Sequence, residues 1–362
     1  MRPRVLLTTP LESRPGGVSE YLRVIKPYLA EHVDYFTVGS RTENESATAS
    51  LMRLINDSRN FARTLRGASY DVIHLNPSIG FKALIRDGVL LLIAKALHRQ
   101  VVVFAHGWDL RCLALLRSYF SQLFRWTFGK ADAFIVLGRA FESAVRQLGY
   151  RREVFLAAAP LGADLFAAAD GCTRRSHGDN AFNLLFLSRV EREKGVFEAL
   201  DTYGMVKQSR DDITLTVAGS GAALSDAREY ASQHGLENVT FVGHVTGHDK
   251  YQLFQQSDAF LFPSYGEGLP LAVLEAMAFG LPVVTTAVGG LNDFFMDGTM
   301  GYSVPTADPK AFAGFVMRLI DDPELCSRIS DFNRQYARTH FTAPDVAAGI
   351  ERIYRLVLEN AH

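Results

Sequence analysis

Residues 264–284 read SYGEGLPLAVLEAMAFGLPVV, and the way this run passes from strand to turn to helix sets the fold class. The preceding DAFLFP, residues 258–263, has the continuous apolar character of a buried strand end. Gly266 and Gly268 permit a tight turn, and Pro270 suits the first position of a helix. Glu267 is therefore predicted in the loop and Glu275 in the helix. At a rise of about 1.5 Å per residue, Glu275 lies about 7 Å along the axis from Pro270, so the two carboxylates can hold hydroxyls of one extended polyhydroxylated ligand. Glu275 is surrounded by Leu271, Ala272, Val273, Leu274, Ala276, Met277 and Ala278, and a helix apolar on every side is a buried one. An unpartnered carboxylate there is costly, which favours a binding role over a helix-dipole or solvated one.

The same unit repeats along the chain. Short apolar runs at Val5–Thr8, Val33–Val38, Val72–Leu75, Val101–Ala105 and Ala133–Leu137 alternate with helical stretches, and a second series runs through Asn183–Leu187, Ile213–Val217, Val239–Val242, Ala259–Phe262 and Pro282–Thr285. Between the two series, after the turn-like PLGAD of 160–164, residues 167–180 lose periodicity and read as a linker. A length of 362 residues also exceeds one comfortable core. The expectation is an α/β protein of two doubly wound parallel-sheet domains, 1–165 and 166–343, facing a central cleft at the carboxyl ends of their strands. The tail 344–362 carries Val346, Ile350, Ile353, Tyr354 and Val357 at helical spacing, a packed amphipathic helix.

Composition narrows the function classes. With 48% hydrophobic and 21% charged residues, the chain is that of an ordinary globular protein. Cys112, Cys172 and Cys326 are three, far apart and without ligand spacing, against a disulfide framework or zinc site and in favour of a reducing compartment. No D-x-D pair occurs, so no tightly held metal is expected, and G-x-S-x-G, Walker and dinucleotide fingerprints are absent. Residues 1–165 carry 22 Lys and Arg against 14 Asp and Glu, a net +8, whereas 166–362 carry 16 against 25, a net −9. A basic first half suits an anionic acceptor or an acidic bilayer, although scattered solvated charge accounts for it equally well. No compact Lys/Arg tract points to nucleic acid, and no apolar run is long enough for a secretory signal or a spanning helix. Residues 113–128 (LALLRSYFSQLFRWTF) have interfacial character, with core packing the stronger reading.

Several residues sit where chemistry is expected. After the strand ending at Leu187, Arg189 and Lys194 bracket a turn before a helix, a placement suited to a diphosphate. The glycines of VGG, 288–290, and Gly16–Gly17 after the first strand let backbone amides approach anions or hydroxyls. FAHGWD at 104–109 puts His106 at a strand end, followed by Trp108 and Asp109.

Together these motifs resemble the retaining nucleotide-sugar glycosyltransferases of family 4, the GT-B "glycosyl transferases group 1". The matching parts are PGGVSEYL at 15–22, HGWD at 106–109, PLGAD, SRVEREKG at 188–195, FVGHV at 241–245, the Glu-x7-Glu pair of GEGLPLAVLEAMAFG, and VGGLNDFFMDGTMGY at 288–302. The resemblance implies transfer of a sugar from a nucleoside diphosphate sugar, of UDP or GDP type, to an acceptor hydroxyl, with no cofactor required. Glu275 would accept ribose hydroxyls, Glu267 would contact the donor sugar, and Arg189 and Lys194 would hold the diphosphate. Gly268, Leu269, Gly289, Gly290, Leu291 and Gly17 would line the donor site. His106 matches the family's active-site histidine, and Trp108 and Asp109 would touch acceptor or sugar. Ser188 stands where the family commonly has Gly, and Asn292-Asp293 replaces a frequent Pro-Glu. The implied partners are a glycan or lipid-linked acceptor and no nucleic acid. The implied setting is polysaccharide, glycan or glycolipid biosynthesis in the cytoplasm, including the inner face of a membrane. A nucleotide-sugar epimerase or hydrolase, or a non-catalytic nucleotide-sugar-binding subunit, are the alternative readings.

Overall fold

The apolar runs pair into two six-stranded sheets, every registered neighbour parallel. The structure, a computed structural model, describes residues 3–11, 16–29, 32–39, 46–77, 81–106, 121–171 and 181–360. The first sheet holds β1 (Val5–Thr9), β2 (Val33–Thr37), β3 (Val72–Leu75), β4 (Gln100–Ala105), β5 (Ala133–Val136) and β6 (Glu153–Leu156) in the order β2-β1-β3-β4-β5-β6. The second holds β7 (Phe182–Leu187), β8 (Ile213–Ala218), β9 (Val239–Gly243), β10 (Ala259–Phe262), β11 (Val283–Thr286) and β12 (Gly301–Val304) in the order β12-β11-β10-β7-β8-β9. Chain direction across the sheet reverses between β1 and β3 in one and between β7 and β10 in the other. At such reversals the loops leaving the strands diverge and open a crevice.

The chain divides into two units, Met1–Pro160 with Ala343–His362, and Leu161–Thr342. In the first, the central strands β3, β4 and β5 are buried, and Phe61, Leu65, Leu90 and Tyr150 pack over them. Helix Ala343–Glu359 lies against helix Gly17–Ile25 and β4, burying Val346, Ile350, Ile353, Tyr354 and Val357. In the second unit Leu184, Phe186, Leu215, Leu261, Tyr203 and Phe312 form the interior. No helix among the described residues is long and apolar enough to cross a membrane.

Three local readings are corrected. The stretch expected as a linker at 167–180 opens inside helix Ala163–Asp170, where consecutive alanines favour helix and Leu165 and Ala169 find a buried face; residues 172–180 lie outside the described residues. β6 and β12 carry no strand pattern obvious from sequence. β6 is an edge strand with exposed Glu153 and Leu156, and β12 opens on Gly301. Pro270 caps helix Leu271–Ala278 with extended backbone, φ −74 and ψ 103, instead of occupying its first turn. Of the segment 113–128, residues 113–120 lie outside the described residues. The remainder combines a buried Phe124 and Phe128 with an exposed Leu123 and Trp126.

Candidate functional site

In the second unit the loops leaving β7 and β10 are clamped together by glycines. Ser188 and Val190 donate backbone hydrogen bonds to Ala218 (3.1 Å) and Ser220 (3.0 Å), and a Cβ on Gly219, at φ +138, would run into the Ser188 carbonyl. Next comes a 3-10 turn, Arg192–Lys194, which ends on Gly195 in the left-handed region at φ +77. A side chain on Gly195 would collide with the Pro263 carbonyl, so only glycine lets the turn lie this close to β10. Tyr265 N–H then donates to the Glu193 carbonyl at 3.0 Å. The result is an ion pair: Lys194 Nζ donates to Glu267 Oε1 at 2.7 Å, with the two side chains 10% and 14% exposed. Buried Ser264 donates to the same oxygen at 2.9 Å, and Nζ also lies 3.4 Å from the Gly266 carbonyl.

The loop after β11 closes on the same place. Gly290 N–H donates to the Gly268 carbonyl at 2.6 Å, and Gly289, at φ +55, has no room for a Cβ against the carbonyls of Glu267 and Gly268. Residues 266–269 and 288–291 therefore form one tightly packed ledge at the β7/β10 reversal. One turn into helix Leu271–Ala278, Glu275 Oε1 accepts from Lys250 Nζ at 2.7 Å. Arg189 is exposed and donates to Glu191 Oε1 at 2.6 Å.

The first unit places a different chemistry at its own reversal. Asn76, just past β3, donates from Nδ2 to the Thr8 carbonyl (2.9 Å) and from its backbone N–H to Thr8 Oγ1 (2.9 Å). With Nδ2 committed, Oδ1 faces His106 Nε2 at 2.8 Å, so Nε2 carries the hydrogen and Nδ1 is a bare lone pair. Nδ1 is buried and has no partner among the described residues. The ring stacks on Phe104, centroids 3.8 Å apart, with Tyr21 edge-on at 4.8 Å. Burial and the neighbouring His74 push the His106 pKa down to about 3, so the imidazole is neutral. Buried His74 pairs through Nδ1 with the Tyr354 hydroxyl at 2.6 Å, and burial holds its pKa at about 3 against the opposing influence of the nearby Asn76. Gly16 and Gly17 begin helix Gly17–Ile25 with open space where side chains would sit.

Two family models meet this architecture in tandem: residues 29–158 match the glycosyl transferase 4-like domain and residues 174–336 match glycosyl transferases group 1. The chain belongs to the family 4 glycosyltransferases. Among curated relatives of this glycosyltransferase chain, a glycogen synthase of Mycobacterium tuberculosis is 33% identical over 172 residues, 47% of the chain and 42% of the relative. An alpha-D-kanosaminyltransferase of Streptomyces kanamyceticus is 29% identical over 234 residues, 62% and 61%. The chain spans about half the length of the curated relatives it matches. The solved structure of Anabaena Alr3699/HepE in complex with UDP and glucose superposes with a TM-score of 0.72 at 20% identity, covering 97% of this chain and 99% of that one. That likeness carries the fold, GT-B, with its two Rossmann-like units.

Against the sequence-level expectations for a family 4 glycosyltransferase, the structure brings Lys194, Glu267, Gly268, Gly289 and Gly290 together, with Leu291 buried beneath and Leu269 in the same loop. Glu275 is not the unpartnered carboxylate that its apolar neighbours suggest, because Lys250 reaches it from helix Gly247–Gln256. Arg189 turns to Glu191 and stands outside the Lys194 pair. Trp108 and Asp109 lie outside the described residues. Sequence reasoning missed Lys250, Asn76, His74 and Tyr354. A histidine inside the apolar run VIHL and an asparagine directly after it are the only local signals for His74 and Asn76, and Tyr354 reads from the sequence only as part of its helix's packed face.

Proposed function

We propose that the protein is a retaining, metal-independent glycosyltransferase that moves a hexosyl residue from a nucleoside diphosphate sugar, of UDP or GDP type, to an acceptor hydroxyl in glycan, glycolipid or polysaccharide biosynthesis. The observation that carries this reading is the Lys194–Glu267 pair on the glycine ledge at the β7/β10 reversal. Lys194 supplies positive charge where the leaving diphosphate gains negative charge, and the amides near Gly289 and Gly290, with Arg189, add to it. Glu267, held by Lys194 and Ser264, orients a donor-sugar hydroxyl, and Glu275 accepts ribose hydroxyls. The bond from the anomeric carbon to the phosphate oxygen breaks as that to the acceptor oxygen forms on the same face, and the departing phosphate takes the acceptor proton. Neutral His106 accepts a substrate hydroxyl proton at Nδ1 in a hydrogen bond, and Gly17 contributes amide donors. Anabaena HepE in complex with UDP-glucose is a structural neighbour consistent with such a donor.

Thermal shifts with UDP-, GDP- and ADP-sugars identify the donor, which stabilises the protein by RT ln(1 + [L]/Kd). Transfer is then followed by product mass and anomeric configuration. Lys194→Ala should lower kcat about 100- to 1,000-fold, as loss of one charge-stabilising donor does. Wild-type turnover in that variant, or an inverted product, sinks the proposal.

A further inference from the structure

Helix Ala47–Gly67 has one face on the first unit's core, where Asp57, Phe61 and Leu65 are buried. The opposite face is not that of a helix made for water. At about 100° per residue, Leu51, Met52, Ile55, Arg59, Arg63 and Arg66 fall within about a third of the circumference. Leu51 is 59% exposed, Met52 65% and Ile55 38%, and the three arginines are exposed. The helix has one acidic residue, Asp57, and it faces inward beside Arg53. Arg63 donates only to Asn60, at 2.9 Å, and among the described residues Arg59, Arg63 and Arg66 enter no ion pair. The outward stripe thus runs from large apolar side chains to unneutralised cations, in a half of the chain with net charge +8.

We propose that this stripe docks on an anionic lipid surface, with Leu51, Met52 and Ile55 entering the headgroup–acyl boundary and Arg59, Arg63 and Arg66 pairing with lipid phosphates. Three large side chains cannot stay in water without a hydrophobic cost. An in-plane helix that carries them beside cations removes that cost at a bilayer, and adds attraction to a negative leaflet. A second copy of the chain fits less well. Three side chains fall far short of the roughly 800 Å² per partner of a stable interface, and pairing would bring six arginines into one contact. The proposal does not depend on the donor-site reading, since it uses no residue of that site.

The test is co-sedimentation of the full chain with vesicles of phosphatidylcholine alone or with phosphatidylglycerol added. Binding is expected only with the anionic lipid, and should fall steeply at about 0.5 M salt, where screening is nearly complete. The variants Arg59→Glu/Arg63→Glu/Arg66→Glu and Leu51→Ser/Met52→Ser/Ile55→Ser should each lose at least about tenfold in partitioning, with unchanged thermal melts. If a triple variant melts early, the single variants Arg63→Glu and Met52→Ser carry the measurement, each with a smaller loss. Equal binding to neutral vesicles, or wild-type partitioning of the variants, overturns it.

Discussion

The two sheet reversals sit at equivalent places in similar architectures, yet one is built from ions and the other from neutral groups. Between β7 and β10, Lys194 and Glu267 meet on a ledge of glycines, with Lys250 and Glu275 a helical turn away. Between β1 and β3, Thr8, Asn76, His106, His74 and Tyr354 form a buried chain with no net charge. The difference teaches that topology supplies the crevice and side chains choose its occupant. Charged pairs held half-dry suit a ligand that carries charge of its own. Neutral imidazoles and amides suit hydroxyls, whose hydrogen bonds need direction more than field strength.

The largest break should come from the ledge. Gly195→Ala places a Cβ on the Pro263 carbonyl at a left-handed φ, and should destabilise the second unit by about 3 kcal/mol or more in denaturant melts. Gly235→Ala, at φ +61 with nothing within reach of a Cβ, isolates the backbone component and should cost only about 1 kcal/mol. Equal losses in the two variants would show that close approach is not what glycine supplies at 195.

Acid should strike the other reversal. His74 and His106 have folded pKa values of about 3, below the ordinary value near 6.5. Between those limits the unfolded chain binds more protons than the folded one, so the stabilisation is complete above pH 6.5 and is lost as pH falls toward 3. Melts of His74→Phe and His106→Phe should show a shallower loss across that window than wild type. An unchanged slope contradicts buried neutral rings.

Asn76→Asp sharpens the contrast by putting charge into the neutral crevice. A carboxylate on Nε2 favours imidazolium, so the acid limb of the kcat profile should move upward, whereas Asn76→Ala should cost about tenfold in kcat by freeing the tautomer. A structural role alone would leave the pH profile in place. The smallest effect is expected at Lys250→Met, which frees Glu275 to swing: donor KM should rise about threefold with kcat nearly unchanged, the mark of a uniform binding loss. A fall in kcat at constant KM would move Lys250 into the chemistry.

Ten of the twelve strands and the strand–turn–helix at 258–278 are legible because apolar runs and glycine–proline punctuation are local signals. The two carboxylates of Glu267 and Glu275 are legible for the same reason, being eight residues apart on one such unit. Their partners are not. Lys194 comes from 73 residues away and Lys250 from 25 residues away, through packing of separate βα units, and a surface lysine on an ordinary helix looks like any other. His106 stands out in FAHGWD, but the asparagine that sets its tautomer follows a different strand, β3. β6 was hidden because an edge strand need not bury both faces.

Tyr354 adds a constraint on biosynthesis. The first unit takes its closing helix from beyond the second, so the Tyr354 hydroxyl contact to His74 cannot form until all of residues 161–342 and the helix after them have left the ribosome. The 161–342 segment, by contrast, is contiguous and can complete its own interior while the earlier-made part still waits for its last piece. Birth order and completion order are thereby reversed.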